Sequence, residues 1–434
     1  MRVVYYLGAG ILSAGLTFGL SVLIQRLGMK YRLYPQIRDR DVHKRPTPRL
    51  GGVAMFLGIV ATFVVASQLD QFHLVFAKPG PILAILGAAF IIVLIGVADD
   101  LWDLDWTTKL AGQIIAAGLL AWQGVQLTNL PIPGGVVVLS SYSGLIISVL
   151  AIVLVMNAVN FIDGLDGLVA GVVIIASSVF FLYSYILANQ IAQTEYFNLA
   201  SLITAVLIGA CVGFLPLNWH PAKLFMGDAG SMLVGLLMAT SAISVTGQVD
   251  VTRVEFARQL VPAFIPILLP FAILVVPLLD FCLAVLRRLR AGKSPFSADR
   301  KHLHHRLLDM GHSDVHAVLI FYAWTTVVAV GSLMFLFVPT IWALVFVAIG
   351  LVICGIVTLA PLTRRKAIES AVQRGVGTAG DDADAAKFDR LDAAANSTVF
   401  ESDSIDPGDA PSAGHPTPTA GNAAMDSTIR KDPT

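Results

Sequence analysis

Asn157-Ala158-Val159-Asn160-Phe161-Ile162-Asp163-Gly164-Leu165-Asp166-Gly167-Leu168 lies between two long apolar runs, 139–156 and 168–187. Each run is close to the length that crosses a bilayer, about 20 mostly apolar residues. The stretch therefore places two carboxylates, two carboxamides and two glycines at a lipid boundary, with no lysine or arginine close in sequence to neutralise them. A carboxylate at membrane depth costs about 2.5–3.5 kcal/mol on insertion scales, so such residues point to function by default. Asp163 and Asp166 are three apart, a spacing that puts both on one face of a helix end. Gly164 and Gly167 let a ligand or a second backbone come close. Oxygen donors on one face suit a hard cation such as Mg²⁺. The plainer reading is a polar turn between two helices, built of Asn, Asp and Gly.

The surrounding composition supports a membrane setting. Of 434 residues, 56% are hydrophobic and 13% charged, against about 25% charged in soluble domains. Apolar runs of spanning length occur at roughly 3–25, 51–69, 80–98, 108–124, 139–157, 168–187, 198–216, 230–247, 261–286, 316–337 and 340–360. The expected fold is an all-α, polytopic integral membrane protein of about eleven transmembrane helices. The run at 108–124 is short and carries Lys109 and Gln113. The N-terminal run has no small-residue cleavage site and reads as a first span rather than a removed signal peptide. Cys211, Cys282 and Cys354 lie far apart inside apolar runs, so they read as buried free thiols.

Orientation follows from the basic residues of the connections. The first connection holds Arg26, Lys30, Arg32, Arg38, Arg40, Lys44, Arg45 and Arg49; the ninth holds Arg287, Arg288, Arg290, Lys293, Arg300, Lys301 and Arg306; Arg364-Arg365-Lys366 follows the last span. The even-numbered side has only Arg2, Lys78, Arg253 and Arg258. The odd connections are therefore expected in the cytoplasm and the N-terminus outside. The same parity sends Asp99-Asp100, Asn157 to Asp166, and Asn218 to Asp228 to the cytoplasmic face. Residues 1–366 form the expected transmembrane domain. Residues 367–434, rich in Ala, Asp, Ser, Thr, Gly and Pro, cannot bury enough surface to fold and read as a disordered cytoplasmic tail.

Four further constellations carry chemistry. In Asp99-Asp100-Leu101-Trp102-Asp103 the adjacent aspartates repel, so a cation should hold them together, with Lys109 a nearby candidate; the alternative is an ordinary acidic helix end. In His43-Lys44-Arg45-Pro46-Thr47-Pro48-Arg49-Leu50-Gly51-Gly52 the prolines keep the chain extended, the glycines let the second helix start close to a neighbour, and Lys44, Arg45 and Arg49 can hold phosphate oxygens. Flanking positive charge is the simpler account of each of these cations. In Asn218 to Ser231, Asp228 stands where a helix begins, as a metal ligand or as a capping carboxylate, and Phe225 offers a face to a flat base. In Ser297-Ala298-Asp299-Arg300-Lys301-His302-Leu303-His304-His305-Arg306, cations and histidines form an anion-binding surface. Zinc fits it poorly, because His304 and His305 are adjacent and cannot share a helix face. Carboxylates for a metal, cations for phosphates and a membrane surface for a lipid suit phosphoryl transfer, which needs mainly positioning and charge neutralisation.

The set HKRPTPRLGG, GVADDLWD, NAVNFIDGLDGL, FMGDAGS and DRKHLHHRLL resembles, in order and over roughly residues 1–360, the polyprenyl-phosphate N-acetylhexosamine-1-phosphate transferases. The resemblance implies transfer of a sugar 1-phosphate from a UDP-sugar to polyprenyl phosphate, with release of UMP and with Mg²⁺, or Mn²⁺ in its place. It implies catalytic roles for Asp99, Asp100, Asp163, Asp166, His302, His304 and His305, and metal coordination by Asn160 and Asp228. Lys44, Arg45, Lys109, Asn218, Phe225 and Arg300 are the expected substrate-binding residues, with Phe225 against uracil. The muramoyl-pentapeptide translocases carry three consecutive histidines in the last loop. The His302-Leu303-His304-His305 pattern is similar instead to the UDP-N-acetylglucosamine branch, which starts teichoic acid linkage units, arabinogalactan or the O-antigen of lipopolysaccharide. The expected partners are UDP-N-acetylglucosamine, a polyprenyl phosphate lipid and the cell membrane, with a homodimer as a further candidate and no nucleic acid.

A phosphate monoester has a second pKa near 6, so a lipid phosphate is mostly dianionic at pH 7. An aspartate base at Asp99 or Asp100 would add little, and the pair is expected to orient that phosphate through a cation. The competing class is a cation-coupled transporter or flippase. It would place polar residues at mid-membrane on broken helices, whereas the carboxylates here gather at one face.

Overall fold

The computed structural model describes residues 3–34, 47–132, 135–190, 195–246, 286, 289–290, 292, 307 and 310–373. Its helices are α1 (Val3–Lys30), α2 (Gly51–Ser67), the single turn α3 (His73–Phe76), α4 (Pro79–Trp102), α5 (Trp106–Trp122), α6 (Ser141–Ile162), α7 (Leu168–Gln190), α8 (Glu195–Asn218), α9 (Gly227–Thr246), α10 (Asp314–Met334) and α11 (Thr340–Gln373). Every expected span except 261–286 falls on one of these helices; of that span all but Leu286 lies outside the described residues, Cys282 included. Among the described residues eight helices are long and apolar enough to cross a membrane, or nine if α2 and the segment after it form one span broken by a 97° bend. The helix starts obey local rules. Ser140 caps α6 by accepting from the Ser143 amide, Ser313 caps α10 by accepting from the His316 amide, and Pro79 opens α4.

The centre of the molecule is α9. It is packed by α2, α4, α6 and α8, and every residue from Ala229 to Thr246 is buried. Lipid supplies no hydrophobic drive between helices, so close packing of small residues must do it. Gly52 of α2 and Gly96 of α4 both lie against the backbone at Ala229–Gly230, where a side chain on either would collide. Gly209 and Gly213 of α8 meet the α1 backbone in the same way. The hydroxyls within α9 are satisfied inside the helix: Thr240 donates to the Leu236 carbonyl at 2.7 Å and Ser244 to the Thr240 carbonyl at 2.8 Å. This is the arrangement that a helix without access to water requires.

The helix ends sort into two groups. The starts of α2, α5, α7 and α9 and the ends of α4, α6 and α8 bring the conspicuous polar residues to one end of the bundle. The other end holds the bend after α2 and a cluster in which Tyr6 donates to Asn198 at 2.9 Å among Phe72, Phe181 and Tyr185. It also holds an element absent from the all-helical expectation. β1 (Asn129–Ile132) and β2 (Gly135–Val138) pair antiparallel between α5 and α6, Asn129 opposite Val138. The chain divides into two units, Met1–Arg365 and Lys366–Thr434. Of the expected tail, everything beyond Gln373 lies outside the described residues.

Candidate active site

A cleft of about 230 Å³ opens at the polar end of the bundle, lined by Arg49, Asp100, Asp163, Gly164, Leu165, Asp166, Asn218, Phe225, Gly227 and Asp228. That volume is below the 300–1,000 Å³ typical of a pocket for a whole drug-sized ligand. It suits phosphates and a polar head better than a lipid chain.

Two loops build one wall. The Phe225 amide donates to the Pro48 carbonyl at 2.9 Å, and the Gly51 and Gly52 amides donate to the Phe225 and Met226 carbonyls at 3.0 and 2.9 Å. The segment before α2 thus runs beside the segment before α9. It puts Arg49 into a cleft for which the sequence around Asp163 offers no cation. Gly227 turns the chain into α9 with a φ of +70°, and a Cβ there would meet the Arg49 carbonyl and the Asp100 carboxylate. Only glycine meets both demands.

Asp99 and Asp100 do not share Lys109. Consecutive helix residues diverge by about 100°, and the two carboxylates separate accordingly. Asp100 accepts from the Asp228 amide at 3.3 Å, at the N-terminal end of α9, whose dipole favours an anion. Asp99 accepts from the Leu104 amide at 2.9 Å and is ion-paired with Lys109. Lys109 also reaches Asp228, at 3.1 Å. The cation therefore bridges α4 and α9 rather than the adjacent aspartates, and Asp228 is no isolated carboxylate. Asn160 donates Nδ2 to Ser231 at 2.9 Å beside Asp228, so its amide oxygen is the atom it can offer a cation.

The stretch between α6 and α7 is not a helix face. The helix ends at Ile162, and residues 163–167 form a turn, with Gly167 at a φ of +75°. Asp163 and Asp166 still both line the cleft, but with different neighbours. Desolvation, and then the charges of Asp228 and Asp100, push the Asp163 carboxyl up to about 8, with Arg49 acting in the opposite sense. Asp166 meets His220 and the Ala222 amide, each at 3.0 Å. Asn218, expected to bind substrate, spends both ends of its amide on the protein: Oδ1 accepts from the Gly167 amide at 3.0 Å and Nδ2 donates to the Leu224 carbonyl at 3.1 Å. It braces the cleft. Tyr322 of α10 completes the brace by donating to the Gly167 carbonyl at 2.6 Å. Sequence reading missed His220 and Tyr322. The first stands inside a noticed motif; the second carries no local signal. Lys44, Arg45, Arg300, His302, His304 and His305 lie outside the described residues.

Among the described residues no group of three or more His, Cys, Asp or Glu forms a ready metal cage. The donors present are oxygens, from Asp228, Asn160 and the nearby Asp163. That set fits Mg²⁺, which is commonly held by one or two carboxylates together with substrate phosphates.

Helices that cross a membrane, carboxylates and cations drawn to one end, and an open polar cleft there define a polytopic membrane protein with the site of a phosphotransferase. Residues 82–246 match glycosyl transferase family 4. The decaprenyl-phosphate N-acetylglucosaminephosphotransferase of Mycobacterium tuberculosis is 43% identical over 363 residues, covering 83% of this chain and 88% of that protein. A probable undecaprenyl-phosphate N-acetylglucosaminyl 1-phosphate transferase of Bacillus subtilis is 31% identical over 76% of this chain and 85% of its own length. A phospho-N-acetylmuramoyl-pentapeptide-transferase of Mycolicibacterium smegmatis aligns over less, at 31% identity across 56% of this chain and 78% of that protein. The chain belongs to the polyprenyl-phosphate N-acetylglucosaminephosphotransferases of glycosyl transferase family 4.

Proposed function

We propose that the protein transfers N-acetylglucosamine 1-phosphate from UDP-N-acetylglucosamine to a polyprenyl phosphate, giving the lipid diphosphate sugar and UMP. The observation that carries this reading is the convergence of Asp100, Asp163, Asp166, Phe225, Asp228 and Arg49 on one cleft at the end of a membrane bundle. An oxygen of the lipid phosphate attacks the phosphorus that bears the sugar. The bond from that phosphorus to the bridging oxygen breaks, and its electron pair leaves with UMP. Arg49 and Lys109 offset phosphate charge, and Phe225 gives the uracil a face. The lipid phosphate arrives mostly dianionic, so Asp99 and Asp100 act by fixing Lys109 and the start of α9 rather than by removing a proton. Asp228 and Asn160 would hold Mg²⁺, which neutralises charge on the transferring phosphoryl group.

The expected result is UMP release from UDP-N-acetylglucosamine plus polyprenyl phosphate by the purified protein, abolished by chelation and restored by Mg²⁺. UMP release only from a UDP-N-acetylmuramoyl-pentapeptide would transfer the assignment to the other branch.

The basic residues of the odd connections support a cytoplasmic position for the cleft in the cell membrane. A single cysteine at Lys223, exposed at the cleft end, should resist an impermeant thiol reagent in intact cells and react after permeabilisation. One at Gln123, exposed at the opposite end, should react in intact cells. The reverse pattern would invert the orientation.

A further inference from the structure

His220 takes no part in the reaction described above, yet it is tied to the cleft. Its Nδ1 lies 3.0 Å from Oδ2 of Asp166, and the Ala222 amide reaches the same oxygen at 3.0 Å. A carboxylate only accepts, so Nδ1 carries the proton and donates. The Asp166 side chain is 3% exposed and that of His220 41%. A carboxylate so buried needs strong donors, and two donors on one oxygen fix the plane of the group.

The two aspartates of the turn then divide the cleft. Asp163 faces the charges of Asp228 and Asp100, at the metal and phosphate end. Asp166 is held by residues 220–222, in the same loop that delivers Phe225 to the cleft wall. The turn at Gly167 is separately clamped by Asn218 and Tyr322. Both of those clamps are inside the protein, and His220 is the outer one. Its removal opens no buried cavity, so its effect on substrate can be read apart from an effect on folding.

We infer that His220 is a positioning residue for the nucleotide end of the cleft, holding the Asp166 carboxylate beside the aromatic wall that receives the base. The inference rests on the proposed function. In the full-length protein, His220→Ala is expected to raise KM for UDP-N-acetylglucosamine about tenfold, equivalent to about 1.4 kcal/mol. Its kcat should stay within about twofold of wild type, the signature of lost binding common to ground and transition states. KM for polyprenyl phosphate should not move, and the unfolding midpoint should fall by no more than a few degrees, because Asp166 keeps the Ala222 amide. His220→Asn, which keeps an N–H donor at the position of Nδ1, should restore the nucleotide KM; His220→Gln, whose donor sits one bond farther out, should not.

An unchanged nucleotide KM in His220→Ala overturns the inference. So does a fall in kcat with both KM values unchanged, or equal behaviour of the Asn and Gln variants. If His220→Ala does not fold, the Asn and Gln pair decides alone. A wild-type protein that releases no UMP from UDP-N-acetylglucosamine removes the proposed function and this inference with it; an active wild type with an indifferent His220→Ala removes only the inference.

Discussion

Asp228→Asn is expected to lower turnover by about a thousandfold, roughly 4 kcal/mol of transition-state stabilisation, while the protein remains folded. Asp228 stands at the start of the central helix, 3.1 Å from Lys109 and beside Asn160. A neutral amide binds Mg²⁺ more weakly than a carboxylate and has no charge to pair with an ammonium ion, so Asn160 alone does not replace it. Asparagine is tolerated near a helix start, and the α9 amide at position 228 still has Asp100 to donate to. The substitution therefore separates chemistry from folding. UMP release and thermal unfolding measured on one preparation check it. Turnover near that of wild type would show that the metal is held elsewhere.

Gly52→Val is expected to have the opposite character, losing the fold and the activity with it. A Cβ at Gly52 would run into the backbone of Ala229 and Gly230, which has no flexible end to give way. Accommodating valine means moving α2 off α9. That breaks the hydrogen bonds from Gly51 and Gly52 to the Phe225 and Met226 carbonyls and displaces Arg49. Overpacking of a tight site costs about 1–3 kcal/mol and more where backbone is struck, so most of the folded fraction should disappear. Gly15→Val is the control, since nothing lies within 4 Å of a Cβ there. The measurement is the yield of monodisperse protein and its unfolding midpoint. A Gly52→Val protein as stable as the control would refute the close packing of α2 on α9.

Much of the architecture can be read in the sequence because a bilayer leaves so few solutions. Continuous apolar length marks α4 and α6 without any knowledge of their neighbours. Carboxylates next to such runs are costly enough that Asp100, Asp163 and Asp228 stand out singly, and the alternation of spans brings them to one end. Hydropathy cannot say how each carboxylate is occupied. Asp99 and Asp100 look equivalent on paper, yet helical geometry sends one to Lys109 and the other to the start of α9. Asp163 and Asp166 have the spacing of a helix face, but Gly164 and Gly167 end the helix and turn the chain instead. Asn218 looks like a ligand and is also a brace, because it lines the cleft while the donor and acceptor it satisfies are main-chain atoms of Gly167 and Leu224, invisible in a list of side chains. Tyr322 is beyond any local reading, since its partner is 155 residues away. The hairpin at Asn129–Val138 is masked by Pro131 and by the brevity of each strand, four residues.

The complete enclosure of α9 has a consequence for biosynthesis. Its described neighbours α2, α4, α6 and α8 all precede it in the chain, and a polypeptide emerges from the ribosome N-terminal end first. The socket is thus made before the piece that fills it. Among the described candidate spans α9 has the lowest mean hydropathy, and it carries Asp228 in its first turn. Such a segment gains little from lipid, but it gains a ready-made groove of small residues into which it can slide. The order of synthesis lets this helix reach a groove already made, and the reactive end is completed afterwards, when α10 brings Tyr322 to the Gly167 turn.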